Sequence, residues 1–350
     1  MAADRRNAPV RGSGPRGNRV RLALGLWVLG VALLGPLGIA GASAAASPAR
    51  ITFALDWVVA GRHAPYFVAL DRGFYRDGGL DVTIVRGYGS TDAIKQVASG
   101  KADFAFGDLG SLLIARARQQ VPVQAVAVIY SRPPFALYSL ASSGITSPKD
   151  LEGKTIAAPA GDAVRTLFPV FAKANGLDPS RVRWLTVDAT GKAPTLFARR
   201  ADLVTEFAFA TPVLAKLARE NGQAISVLYF SDYGVDIYSN GLLVGEPTIR
   251  ERPQVVRAFV QATLRGLAYT LQRPDDATAL MVAKVSGLDP EVVREELAIL
   301  EQLVRVPEVE ANGLGYIDAA RMARTAEAVA LAYELEGVRP EEAYTNEFLR

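Results

Sequence analysis

"LDVTIVRGYGSTDAIKQVASGKADFAFGD", residues 80–108, decides the fold. Its opening, "LDVTIVRG", is a β-rich run closed by glycine and reads as a strand. "STDAIKQVASG" follows as a helix, with Ser90 and Thr91 at its start and Gly100 at its stop. "ADFAFGD" returns to strand. Outward from this unit the alternation continues. Upstream, "ITFALDW" (51–57) is a strand and 63–75 a helix that tolerates Pro65 in its first turn. Downstream come the helix "SLLIARARQQ" and the strand "VQAVAVIY". Strands and helices in turn predict an α/β fold with a largely parallel sheet.

A second α/β series starts near residue 150. "DLEGKTIAAPAGD" gives a turn and a strand, "AVRTLFPVFAKANG" a helix ended by Gly176, and "RVRWLTVDA" a strand. "APTLFARR" (helix), "ADLVTEFAF" (strand), "TPVLAKLAREN" (helix) and "AISVLYF" (strand) complete it. Residues 247–335 are helical in pattern, punctuated by Pro253, Pro274 and Pro290. "PFALYSL" (134–140) and "IYSNGLLVG" (237–245) read as crossings out of the first unit and back. The expected division is residues 1–46 as an export segment, 47–136 with 241–350 as one discontinuous lobe, and 137–240 as a lobe inserted into it. A cleft between two such lobes is a preferred ligand site.

The formal charge of +3 on 350 residues belongs to the N-terminus. Setting aside the six arginines and one aspartate of residues 1–46 leaves 33 basic against 35 acidic residues, so the body has no basic bias toward nucleic acid. Residues 1–46 read as an export signal: a basic stretch, the apolar run "LALGLWVLGVALLGPLGIA", and small residues that suit cleavage near Ala44–Ala46. The rival is a membrane anchor, since 19 apolar residues are just enough to span. The chain has no cysteine, which removes disulfides, a lipidated N-terminal cysteine, thiolate zinc sites and cysteine nucleophiles together. Export without cysteine fits a bacterial periplasm.

Ligands in open parallel sheets bind beyond the carboxyl ends of strands, so the residues just after each strand are the candidates. Trp57 offers a face for a planar ligand or packs on the next helix. His63, the one histidine, contacts ligand or caps its helix, with Tyr66 one turn on. Gly89, Ser90 and Thr91 at a helix start offer backbone N–H groups to a polar or anionic group, or simply cap. Asp108 ends the third strand. Gly161, Asp162 and Arg165 repeat the arrangement in the second unit, followed by Glu206. Tyr233 and Tyr238 near the return crossing serve ligand or hinge packing. No serine lies in a nucleophile elbow. One histidine among scattered carboxylates gives no metal-ligand spacing, so no catalytic residue, cofactor or metal is expected.

"LDW" with its following histidine, "FVALDRGFYRDGGLDV", "GSTDAIKQVASGKADFAFGD" and "DLEGKTIAAPAGD" together resemble a superfamily. It contains the alkanesulfonate-, taurine- and nitrate-binding proteins of bacterial ABC importers, the periplasmic binder of a formylaminopyrimidine thiamine precursor, and the fungal thiamine-pyrimidine synthase. The likeness runs from about Ile51 to the end, where "AYTNEFL" looks like the pyrimidine branch's tail. The resemblance implies the type II periplasmic-binding-protein fold, two α/β lobes with a hinge and an interlobe cleft. It implies a monomer that captures a small-molecule ligand in the periplasm and delivers it to an ABC importer permease in the inner membrane, by hinge closure on an unmodified solute. The synthase consumes its own histidine and holds pyridoxal phosphate on a lysine. Here Gly107 and Ser111 fall about where those lysine and histidine positions would be, which argues against synthase chemistry. With Asp108, Asp162 and Glu206 at strand ends and Arg165 as the lone nearby cation, the charge balance favours a thiamine-precursor pyrimidine or related aminoheterocycle. A small anion (sulfonate, taurine, nitrate) held by Arg165 and the two helix starts is the alternative. A synthase-like enzyme and a sensor domain held by an uncleaved helix are alternatives of other classes.

Overall fold

The structure, a computed structural model, describes residues 47–350; the export segment expected over 1–46 lies outside the described residues. Ten strands form two five-stranded sheets. The first runs in the order β2 (Leu80–Val85), β1 (Ala49–Ala54), β3 (Phe104–Asp108), β10 (Asn240–Gly245), β4 (Val123–Val128). The second runs β7 (Arg183–Thr186), β6 (Thr155–Ala158), β8 (Leu203–Phe207), β5 (Phe135–Leu140), β9 (Ile225–Tyr229). Each sheet has one reversed strand. β10 is antiparallel to β3 and β4, and β5 is antiparallel to β8 and β9.

"PFALYSL" is thus strand β5 rather than a crossing, and "NGLLVG" is β10; the crossings themselves occupy 129–134 and 230–239. The reversals follow from where the chain enters. β1, β2, β6, β7 and β8 end on the side of the sheets that carries the gap between them. β5 and β10 are the first strands laid down after a crossing, so they begin at that side and run away from it.

The helices cover both faces of each sheet. α1 (Ala64–Asp71), α2 (Phe74–Asp77), α9 (Pro253–Gln272), α10 (Pro274–Lys284) and α11 (Pro290–Val304) bury one face of the first sheet. The helix expected over 63–75 breaks at Arg72–Gly73, where Gly73 takes φ 75°, and resumes as α2. α1 and α9 cross closely: a Cβ on Gly266 would lie 2.2 Å from the Pro65 carbonyl oxygen, so that crossing requires glycine. α3 (Ser90–Ala98), α4 (Leu109–Gln119), α5 (Ala163–Ala174) and α13 (Ala319–Tyr333) share a core that passes from one sheet to the other through Phe135, Phe230, Ile237 and Tyr238. α6 (Lys192–Phe197) and α7 (Thr211–Glu220) pack on the far face of the second sheet. Two short helices complete the tail, α8 (Glu246–Glu251) and α12 (Pro307–Asn312). The "AYTNEFL" tail bridges back to the first sheet, Tyr344 pairing with Ala125. Among the described residues no helix is long and apolar enough to cross a membrane.

Candidate functional site

A cavity of about 230 Å³ lies between the two sheets. The loop after β1 supplies Asp56, Trp57 and Arg62, and the loop after β2 supplies Gly89 and Ser90. From the other lobe come Asp162 after β6, Lys192 after β7, Glu206 and Phe207 at the end of β8, and Phe209 beyond it; Glu296 arrives from α11. A second cavity of about 450 Å³ adjoins it and shares Trp57, with Arg86, Tyr88, Gly161 and Asp188 in its walls.

Lys192 organises the second lobe's side. It is 1% exposed. Its Nζ donates to the Thr205 carbonyl at 2.7 Å and pairs with Glu206 Oε1 at 2.9 Å and Asp162 Oδ2 at 3.7 Å. The same ammonium lies 4.5 Å from the Trp57 ring centroid, so a cation of one lobe sits against an aromatic face of the other. Burial pushes the Glu206 carboxyl up from its ordinary value, and the charge and hydrogen bond of Lys192 oppose that without cancelling it.

Asp56 organises the first lobe's side. It receives Nε2–H of His63 at 2.9 Å and Nδ2–H of Asn240 at 3.0 Å, with Arg62 Nη2 3.7 Å away. Burial opposes its ionisation, but Arg62 and His63 outweigh that and hold its carboxyl below the usual range. Arg62 lies 5.9 Å and 5.6 Å from the ring centroids of Phe207 and Phe209, across the gap. Its backbone N–H donates to Glu296 Oε2 at 2.9 Å. Burial pushes Glu296 up to about 7 despite that bond and the nearby Arg62 charge. The Arg62 Nε is buried and has no partner, a condition that costs about 1–3 kcal/mol when nothing fills it.

Of the twelve residues expected to bind, Trp57, Gly89, Ser90, Asp162 and Glu206 line the cavity. Gly161 lines the adjoining one, and the Thr91 N–H points to the Gly161 carbonyl at 3.4 Å. Five lie elsewhere. His63 is fully buried behind Asp56. Tyr66 is core, packed edge-on against Phe53 at 5.1 Å. Asp108 is fully buried as the N-cap of α4, its Oδ1 accepting the Ser111 N–H at 2.6 Å. Arg165 turns outward to lie over Trp184 at 4.9 Å and to bond Thr186 Oγ1 at 3.0 Å. Tyr233 packs on Phe171 and bonds the Thr146 carbonyl at 3.3 Å. The charge balance changes accordingly. Arg165 is not the cation of this site; Lys192 and Arg62 are, facing Asp56, Asp162, Glu206 and Glu296.

Sequence reasoning missed Lys192, Arg62, Glu296 and the two phenylalanines. Lys192 had a signal: it follows the β7 strand end, four residues past Asp188. Arg62 adjoins His63. Glu296, on a helix far along the chain, had none. Gly107 and Ser111 lie outside the cavity, Ser111 being 3% exposed. Among the described residues no group of His, Asp and Glu has a metal-holding arrangement.

Known proteins resemble this chain along most of its length. The family model described as NMT1/THI5 like matches residues 60–277. The riboflavin-binding protein RibY of Chloroflexus aurantiacus is 31% identical over 314 residues, covering 86% of each chain. The formylaminopyrimidine-binding protein of Halalkalibacterium halodurans is 30% identical over 260 residues, 72% of this chain and 77% of that one. Among solved structures, the alkanesulfonate-binding protein SsuA of Xanthomonas axonopodis pv. citri, bound to MOPS, gives a TM-score of 0.68 at 16% identity, covering 86% of this chain and 99% of its own. That identity speaks for the fold alone, the two-lobed fold of periplasmic binding proteins.

Proposed function

Because this chain belongs to the NMT1/THI5-like family, we propose that it is an exported solute-binding protein whose lobes close on a flat nitrogen heterocycle and pass it, unmodified, to an ABC importer. The observation that carries the reading is the Trp57 face with Lys192 and Glu206 beside it: a surface for stacking next to groups that fix a ring's polar edge. Two relatives named for riboflavin and for formylaminopyrimidine support it, since both ligands contain a pyrimidine ring. A sulfonate or nitrate fits the charges less well. Four carboxylates face two cations, and each uncompensated repulsion costs on the order of 1–4 kcal/mol at ~4 Å.

The reading extends to the rest of the chain. The crossings 129–134 and 230–239 serve as the hinge between the lobes. Residues 1–46 direct export and are removed near Ala44–Ala46, and the protein works as a monomer in the periplasm. Nothing in the cavity is assigned to catalysis: Gly107 and Ser111, which fall about where the synthase's lysine and histidine would be, both lie away from it. The test is native mass spectrometry of the purified protein for a ligand carried through purification, with a thermal-shift screen of riboflavin, formylaminopyrimidine, taurine and nitrate. A rise in melting temperature with a heterocycle and none with the anions is expected. The reverse pattern overturns the proposal.

A further inference from the structure

Two glutamates reach the cavity from opposite lobes, Glu206 from β8 and Glu296 from α11. Glu206 is balanced by Lys192 at 2.9 Å. Glu296 has no such partner: it is 5% exposed and makes no ion pair among the described residues. One hydrogen bond anchors it, Oε2 accepting the Arg62 backbone N–H at 2.9 Å. Oε1 has no partner in the protein, yet it is not sealed in as the partnerless atoms of the core are, and the residue lines the cavity. Buried carboxylates are ordinarily paired or fully hydrogen-bonded. This one is fixed by one oxygen and leaves the other to whatever fills the space. While the carboxyl is ionised that oxygen can only accept, so it calls for an N–H and rejects a carbonyl or an anion.

We propose that Glu296 is a specificity-determining residue whose Oε1 accepts an N–H from the ligand's edge on the side of the first lobe. Resting on the heterocycle reading above, this narrows the ligand class to rings with an N–H there, an amine or an imide, and sets apart rings whose edge nitrogens are alkylated. A dependence on pH follows from the same geometry. Oε2 is committed to the Arg62 N–H, so a proton added to the carboxyl goes to Oε1 and turns the ligand's acceptor into a donor. Burial pushes this carboxyl up to about 7, against the Arg62 charge. Around it stand Arg62 and Asp56 from the loop after β1, Tyr130 from the crossing beyond β4, and Glu206 and Lys192 across the cavity. α7 and the turn before it present apolar Phe209, Val213 and Leu214, and the charges of α9 and α10, which also pack on α11, pair elsewhere.

The experiment compares wild type with E296Q, which keeps the shape of the side chain and an oxygen for the Arg62 N–H but turns an NH2 group toward the cavity. Dissociation constants are measured by calorimetry from about pH 6 to about pH 8 for riboflavin, which has an imide N–H, and for formylaminopyrimidine, which has a ring amine. 3-Methylriboflavin, which differs from riboflavin by that one N–H, is the control. E296Q should bind the ring that wild type binds at least about tenfold more weakly at the high-pH end, and the gap should narrow toward the low-pH end, where the wild-type carboxyl is protonated. Where that ring is riboflavin, N-methylation should weaken binding to wild type and change little in E296Q. If E296Q does not fold, calorimetry of wild type in two buffers of different ionisation heat reads the proton that Oε1 gives up on binding near pH 7; no release overturns the inference. A purely structural Glu296 predicts equal affinities at every pH, because glutamine still accepts the Arg62 N–H. That result, a gap that ignores pH, or an N-methylation penalty that persists in E296Q overturns the assignment and leaves the heterocycle reading standing. Binding of none of the rings removes that reading and this inference with it.

Discussion

The His63 ring accepts the Ala60 N–H on Nδ1 at 3.1 Å and gives its Nε2–H to Asp56 at 2.9 Å, a pattern that only the neutral, Nε2-protonated ring satisfies. A proton added at Nδ1 would face the Ala60 donor. Burial pushes the imidazole below its ordinary value, the Arg62 charge pushes the same way, and Asp56 opposes both. The sign of the linkage follows. A histidine held neutral by the fold contributes its full stability above about pH 6.5, and that stability is lost as the pH falls and the unfolded chain takes up the proton first. Because the chain has one histidine, one imidazole resonance reports it. In proton NMR of tag-free protein, that resonance should stay flat from pH 7.5 to about pH 6.5 and below, without a midpoint near the ordinary value. A midpoint near 6.5 would mean a solvated ring, and one above it an imidazolium paired with Asp56; either would overturn the neutral ring. The sequence could offer a pocket or a cap for this residue. The cap is what it serves, at the N-cap of α1 and with Nδ1 accepting the Ala60 N–H; the pocket is not, because its other partner is Asp56, seven residues back, and the rest of the lobe buries it.

The caps of α4 and α5 carry a similar lesson one level up. Asp108 ends β3 and Asp162 follows β6 by four residues, and each accepts the backbone N–H three residues on, at 2.6 Å and 2.9 Å. Their local sequences are equivalent, and a reading along the chain sees two N-caps that double as ligand groups. The difference is set from afar. The second oxygen of Asp162 faces Lys192, 30 residues away, while that of Asp108 is enclosed without a partner. The same distance hid Lys192: long cationic side chains are almost always exposed, and nothing local marks one that turns inward. Strand–helix alternation was legible because it is periodic and local. The reversed strands β5 and β10 were not, because direction within a sheet depends on where the chain re-enters it. Burial pushes Asp108 up to about 6, its cap bonds notwithstanding. Stability from a raised carboxyl is full at low pH and lost as pH rises through the folded value. D108N keeps a good cap and removes the buried charge, so in urea unfolding it should match wild type below about pH 4, draw ahead as the pH rises to about 6, and exceed it at pH 8. D108A loses the cap and should fall below D108N by about 1 kcal/mol throughout. Equal pH dependence in wild type and D108N would show that the carboxyl is not held out of its ordinary range.

Closure of the whole molecule rests on a contact made of backbone. Gly89 of the first lobe takes φ 117°, a region closed to most side chains, and a Cβ there would lie 2.2 Å from the Gly161 carbonyl oxygen of the second lobe. A Cβ on Gly161 would instead meet the Tyr88 carbonyl at 3.4 Å, an ordinary contact. The same seam carries the Trp57–Lys192 contact, and at the α7–α11 rim Lys216 meets Asp289 at 2.6 Å. That rim pair is exposed to solvent and screened by salt, so it adds little. The seam's tolerance therefore lies in the glycine. Ligand affinity in a two-lobed binder depends on the free energy of the closed state relative to the open one, so a wedge at the seam weakens binding without touching the ligand. G89A should lose at least about tenfold in affinity for whichever heterocycle wild type binds, since each ~1.4 kcal/mol of closure energy is a factor of ten. G161A should stay close to wild type. Small-angle scattering should show G89A remaining extended at ligand concentrations that compact wild type and G161A. Equal affinity and equal compaction for the two variants would mean that the lobes do not meet at Gly89 when ligand is bound.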